Sequence, residues 1–168
     1  GLDAFHSKSA FIYFLDRGIR RLLIEIMKKQ WEKGRARWQP RYYEYKWLTD
    51  SSEVDALIEL GDKDCGVLWR EVGLKEVKKQ LDKILFLSQE KGFKLVVVYF
   101  PVTFQLQGAG SLKYDLMKPN NDIQKYCEKN NIPFMSLIKP LKEDMEKNSL
   151  NDIFVDYCHY TARGAEIV

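Results

Sequence analysis

The chain contains two imidazoles, His6 and His159. His159 lies in DYCHYTARG, residues 156–164, with Asp156 three residues before it. Across a turn, that spacing sets a carboxylate and an imidazole on one side of the chain. A carboxylate that accepts a hydrogen bond from one ring nitrogen fixes the tautomer and leaves the other nitrogen as a base. It also stabilises the imidazolium formed when that base takes a proton. General-base help of this kind contributes roughly two to four powers of ten in rate. The plain alternative for Asp-x-x-His is a polar surface pair, and spacing alone does not separate the two.

The other reactive residue types offer less. Cys65, Cys127 and Cys158 form no Cys-x-x-Cys pair, which argues against a zinc or thioredoxin-type site. An odd cysteine count argues against a fully paired disulfide framework and leaves one bridge with a spare thiol open. Cys158 sits one residue from His159, too close in sequence for the imidazole to activate it readily, so packing or a bridge to Cys127 is expected instead. His6 precedes the first helix, where capping or exposure is the ordinary role. Ser111 and Ser136 lie in a loop and a strand without a nucleophile's surroundings. Gln105 and Gln107 are solvated loop residues or contacts for a substrate's polar groups.

The elements that must position Asp156 and His159 follow from apolar periodicity. Phe11, Leu15, Ile19, Leu22, Leu23 and Ile26 predict a helix over about 9–33, with Arg17, Arg20, Arg21, Lys28 and Lys29 on its other face, Ser7 or Ser9 as cap and Gly34 as stop. Residues 35–72 are aromatic and basic without a clean period. They are expected to be an irregular excursion packing Trp38, Tyr42 and Trp47 onto the domain. Leu74, Val77, Leu81, Ile84 and Leu85 predict a helix to Lys91, ended by Gly92. The valine-rich run Leu95–Tyr99 suits a strand buried on both faces. A loop through Gly108 and Gly110 leads to a helix over 121–129, a strand over 132–138 and a short helix from Pro140 to Lys147. A last helix begins after Thr161, its candidate cap. This β-α-β-α order predicts an α/β fold with a parallel sheet and helices on both faces. Two strands make a thin sheet, so strands that would complete it are missing from the pattern. The 168 residues are expected to form a single partial domain: a basic helix 1–34, the excursion 35–72, and an αβαβα core 73–168. In open α/β sheets functional groups gather beyond the carboxyl ends of the strands, and Asp156 and His159 fall in such a loop.

Taken together, KLVVVYFP, VTFQLQG, IPFMSLI and IFVDYCHYTARGAEIV resemble the C-terminal half of an SGNH (GDSL-type) hydrolase. FHSKSAFIYFLDR is similar to the helix that often follows that family's third motif. The resemblance implies an incomplete three-layer α/β/α, flavodoxin-like fold. It also implies ester hydrolysis or acyl transfer, with O-acetyl carbohydrate and lipid esters as leading substrate classes and with no metal or organic cofactor. The family's serine nucleophile stands in an N-terminal Gly-Asp-Ser motif, and a glycine and an asparagine from two later motifs complete its oxyanion hole. All three motifs should precede the first helix, and none is present here. Only Asp156 and His159 therefore carry over, with the nucleophile expected in an N-terminal part outside these residues and the segment by itself expected to be inactive. LIELGDK mimics the first motif but has Lys63 at the serine position, and NND at 120–122 opens a helix.

Composition bounds the partners. The chain is 45% hydrophobic and 30% charged, a globular profile. Residues 1–50 carry 11 Lys/Arg against 6 Asp/Glu and the remainder 16 against 18. A net charge of +3 argues against a strongly polyanionic partner, and no nucleic acid is expected, although arginines and aromatics alternate over 35–47. The rival to the enzyme reading is an interaction module that docks helix 9–33 on a partner or an anionic membrane. No apolar run approaches the length of a membrane span, and no signal segment is visible, so the sequence leaves compartment and oligomeric state open.

Overall fold

A computed structural model of the chain describes residues 39–61 and 65–167, preceded by Glu25, Lys28, Lys29 and Glu32. The chain divides into two compact units, Gly1–Gln39 and Pro40–Val168. In the first, the four described charged residues are helical and exposed. The rest of the expected helix 9–33, with its apolar stripe and arginines, lies outside the described residues. So do His6, Trp38 and Lys63.

The second unit opens with a correction. Residues expected to be irregular form a helical turn through Tyr43, a 3-10 turn at Lys46–Leu48 and a regular helix, α1 (Ser51–Leu60). A second 3-10 turn, Cys65–Trp69, follows. The start signal for α1 is Asp50, whose carboxylate accepts from the Ser52 amide at 2.8 Å, with Glu53 in the first turn. Val54, Leu57 and Ile58 supply the buried stripe. The expected inward packing holds for the two of these aromatics that are described. Tyr42 and Trp47 are buried and stacked, with ring centroids 5.4 Å apart.

Helix α2 (Glu71–Lys91) begins three residues earlier than its apolar period suggests and ends at Gly92, whose φ of 72° suits a residue without Cβ. Strand β1 (Val97–Tyr99) leads into the single turn α3 (Thr103–Leu106) and then α4 (Lys118–Lys129). Strand β2 (Phe134–Ser136), α5 (Ile138–Met145), α6 (Leu150–Ile153) and α7 (Ala162–Glu166) complete the order. The two strands pair in parallel, Val97 with Phe134 and Tyr99 with Ser136, as an α/β reading requires. Among the described residues neither strand has a second neighbour. No described helix is long and apolar enough to cross a membrane.

One sheet face is covered. Val97 and Phe134 pack into a core of Leu74, Ile123, Cys127 and Ile132 drawn from α2, α4 and the approach to β2. The other face is open, contrary to the expectation of burial on both sides. Val96, Val98, Phe100 and Met135 are exposed there, at 54%, 38%, 51% and 53%. A continuous apolar run registers that a strand is not half-polar, but it does not say what covers it. A second core, Leu137, Leu141, Ile153 and Phe154, holds α5, α6 and the segment that carries His159.

The loop between α3 and α4 is tied back to α1. The Ser51 hydroxyl donates to the Ala109 carbonyl at 2.9 Å, the Ser111 hydroxyl donates to buried Asp55, and Lys113 pairs with Glu59 at 2.7 Å. Ser111 is thus a structural serine. Removing its hydroxyl leaves the Asp55 carboxylate under-satisfied at a buried position, so Ser111→Ala is expected to cost about 1–3 kcal/mol in urea unfolding. A loss near zero would mean that solvent already serves that carboxylate.

Candidate active site

The segment 154–161 is a short pinched loop. Phe154 and Tyr160 form an antiparallel bridge, with the Val155 amide donating to the His159 carbonyl at 2.8 Å. The loop is anchored to the end of β1 by two bonds: the Tyr160 hydroxyl donates to the Pro101 carbonyl at 2.8 Å, and the Thr103 amide donates to the Tyr157 carbonyl at 2.9 Å. The former excursion forms a wall beside it. Tyr42 meets the Tyr157 ring edge-on at 6.2 Å, and the Tyr43 hydroxyl donates to the Val155 carbonyl at 3.3 Å. Burial raises the pKa of both Tyr42 and Tyr160, so they serve as neutral packing groups and not as acids or bases near neutral pH.

Within the loop, Asp156 turns the chain with its own side chain. Its Oδ1 accepts from the amides of Cys158 at 3.0 Å and His159 at 2.9 Å. The same carboxylate faces His159 Nδ1, 2.9 Å from each oxygen. Sequence spacing therefore identified a real juxtaposition. Asp156 is mostly covered and its imidazole partner mostly open, at 18% and 71% side-chain exposure. Partial burial pulls the Asp156 pKa upward. The Cys158 amide, the imidazole and the His159 amide outweigh that effect and hold the carboxyl below its ordinary range. An ionised acceptor at Nδ1 places the proton on Nδ1 and leaves Nε2 as an open acceptor toward solvent.

The other candidates fall away on geometry. Each of the six described serines, Ser51, Ser52, Ser88, Ser111, Ser136 and Ser149, donates its hydroxyl to a partner other than His159. Asn120 is buried in the first turn of α4 and accepts from Ser136, a structural role in keeping with a helix opening. Gln105 is not a solvated residue: it is buried, bonded to the Tyr99 hydroxyl at 2.9 Å and donating to the Leu116 carbonyl at 2.7 Å. It fastens the end of β1 to the long loop, and its amide satisfies backbone groups that a loop would otherwise strand. Gln107 is exposed. Cys127 and Cys158 form no bridge. Cys127 packs in the first core, and Cys158 places Sγ 3.6 Å from His159 Nδ1. A depression lined by Leu106, Gln107, Lys142, Met145 and Glu146 includes neither Asp156 nor His159.

Sequence reasoning missed Tyr157, Tyr160 and the Tyr42–Tyr45 wall as positioning residues. Apolar and aromatic residues at 153, 154, 157 and 160 interleave with the polar pair, and that alternation was the available signal. The C-terminal support was legible. Thr161 caps α7 by accepting from the Gly164 amide at 3.0 Å. Gly164 itself has no room for a side chain, since a Cβ there would stand 2.2 Å from the Ile153 carbonyl oxygen. Gly164→Ala must push α7 off the bridge that holds His159, at an expected cost of about 1–3 kcal/mol with a matching fall in thermal midpoint. An unchanged midpoint would show that α7 shifts freely.

No protein-family model matches the chain, and neither a curated protein nor a solved structure is detectably similar to it.

Proposed function

We propose that this chain carries the acid–base end of a serine-dependent ester hydrolase or O-acyltransferase. The observation behind this reading is the Asp156 carboxylate 2.9 Å from His159 Nδ1, with Nε2 left open. His159 takes the proton of a serine hydroxyl and later returns it to the leaving alcohol or activates water, while Asp156 orients the ring. None of the three N-terminal motifs of the SGNH family stands in the sequence, and the described serines are engaged elsewhere, so the nucleophile and the oxyanion donors are assigned to residues outside these 168. Ester substrates of carbohydrate or lipid alcohols rest on the SGNH-type resemblance of DYCHYTARG and its flanking strands and helices. So does a three-layer arrangement: the open apolar face at Val98 and Met135 supports a further covering layer, and the strand edges without a second neighbour among the described residues support a larger sheet.

The test is covalent labelling of the natural polypeptide with a fluorophosphonate, which reacts with an activated serine. One labelled serine is expected, with labelling lost in His159→Ala. The 168-residue chain alone is expected to take no label and to hydrolyse no p-nitrophenyl ester. Labelling that persists at the same rate in His159→Ala would rule the imidazole out as the activating base.

A further inference from the structure

Asp156 and His159 do not stand alone. Cys158 lies between them in sequence, and one ligand-type atom from each residue, a carboxylate oxygen, Sγ and Nδ1, lies within 4.8 Å of the other two. We propose that this loop binds a thiophilic divalent cation of the zinc type through Asp156 Oδ2, Cys158 Sγ and His159 Nδ1.

The donor set is the first argument. Thiolate, imidazole and carboxylate are the three ligand types that zinc takes from proteins, whereas magnesium and calcium require oxygen. Geometry is the second. Bond lengths of about 2.3 Å to sulfur and about 2.0–2.1 Å to nitrogen place S and N about 3.5 Å apart around a tetrahedral ion. The observed Sγ to Nδ1 separation is 3.6 Å. Nitrogen and oxygen ligands of one ion stand about 3.3 Å apart, so the 2.9 Å Nδ1 to Oδ2 distance must open slightly when a cation replaces the shared proton. Rigidity is the third. Oδ1 is already held by the amides of Cys158 and His159 and the loop is closed by the Phe154–Tyr160 bridge, so Oδ2 is presented without reordering the chain.

Three protein ligands leave a fourth position, and exposure of the His159 ring opens it to solvent. The site uses Nδ1, the nitrogen that the Asp156 carboxylate holds in the proposed acid–base pair. A cation-loaded loop and an oriented base are therefore alternative states of the same three residues. Cation binding needs no catalysis, so this inference stands apart from the hydrolase reading.

Cobalt(II) is the probe, because its bond to a thiolate absorbs in the near ultraviolet. The natural polypeptide, reduced and free of oxygen, is titrated with Co²⁺. The expected result is a charge-transfer band that saturates at one cobalt per chain and is displaced by Zn²⁺. It is lost in Cys158→Ser, and its apparent affinity falls by more than about tenfold in His159→Ala. Circular dichroism of Cys158→Ser confirms that the fold is kept. No thiolate band, or a band unchanged in Cys158→Ser, overturns the proposal. Ester turnover is not part of the readout, so loss of the band would leave the acid–base pair untouched, and loss of turnover would leave the cation site untouched.

Discussion

Trp47→Ala is expected to be the most damaging single truncation in the described part of the chain, costing about 3–5 kcal/mol. The side chain is wholly buried, lies parallel to the Tyr42 ring at 5.4 Å, and donates its Nε1–H to the Tyr42 carbonyl at 3.0 Å. Its backbone carbonyl also accepts from the Ala109 amide at 3.2 Å, and a Cβ on Gly108 would stand 3.3 Å from its ring. Removing the indole thus opens a cavity, takes one of two donors from the Tyr42 carbonyl, which keeps the Tyr45 amide at 3.1 Å, and removes the ring beside the loop that joins α3 to α4. Tyr42 also contacts Tyr157, so the damage reaches the loop that holds His159. Trp47→Phe keeps most of the volume and loses the Nε1 bond, for an expected cost of about 1–2 kcal/mol. Urea unfolding followed by circular dichroism distinguishes them. Equal midpoints for wild type and Trp47→Ala would mean that residues 40–48 are a detachable surface flap and not part of the core.

His159→Ala is expected to have the largest effect on chemistry and almost none on stability. In the natural polypeptide, ester kcat should fall by about 10²–10⁴ with little change in KM, because the lost interaction develops only as the serine proton moves. The imidazole is mostly exposed, so its removal leaves the cores intact and thermal midpoints should coincide. Asp156→Asn makes the complementary case. An amide oxygen can still accept from the Cys158 and His159 amides, so the turn survives. An amide NH₂ facing Nδ1 favours the wrong tautomer, and kcat falls although the imidazole is present. Added free imidazole should partly restore His159→Ala and leave Asp156→Asn low, a split that a merely structural pair would not produce. Unaltered kcat in His159→Ala sinks the base assignment.

The two cores explain why so small a sheet still presents a defined loop. Tyr160 packs against Phe154 at 4.5 Å between ring centroids and reaches Pro101 through its hydroxyl, so the loop is welded to the carboxyl end of β1. That is the end at which open α/β sheets place their functional groups. Two backbone amides converge on Asp156, so its carboxylate stays ionised and poised toward the ring without needing a lysine or arginine beside it.

By itself the amino-acid sequence determined what short-range periodicity and stereochemistry encode. The heptad-like spacing of Leu74, Val77 and Leu81 makes a helix, Gly92 ends it because φ is positive there, Thr161 caps the last helix, and Asp-x-x-His closes a turn that brings its two side chains together. Each depends on neighbours within a few residues. Tertiary structure decided the rest. Residues 40–60 lack one clean period because Tyr42 and Trp47 answer to each other and to Tyr157, over a hundred residues away, so their helical turns hide behind an aromatic pattern. Gln105 was indistinguishable from a loop glutamine until Tyr99 and Leu116 met it. The run 95–99 could announce a strand but not that Val98 lies open, because coverage of a sheet face is supplied by other elements and not by the strand's own residues. Likewise the placement of Cys158 Sγ against the imidazole depends on how Asp156 folds the loop between them, a matter of turn geometry that residue spacing leaves undetermined.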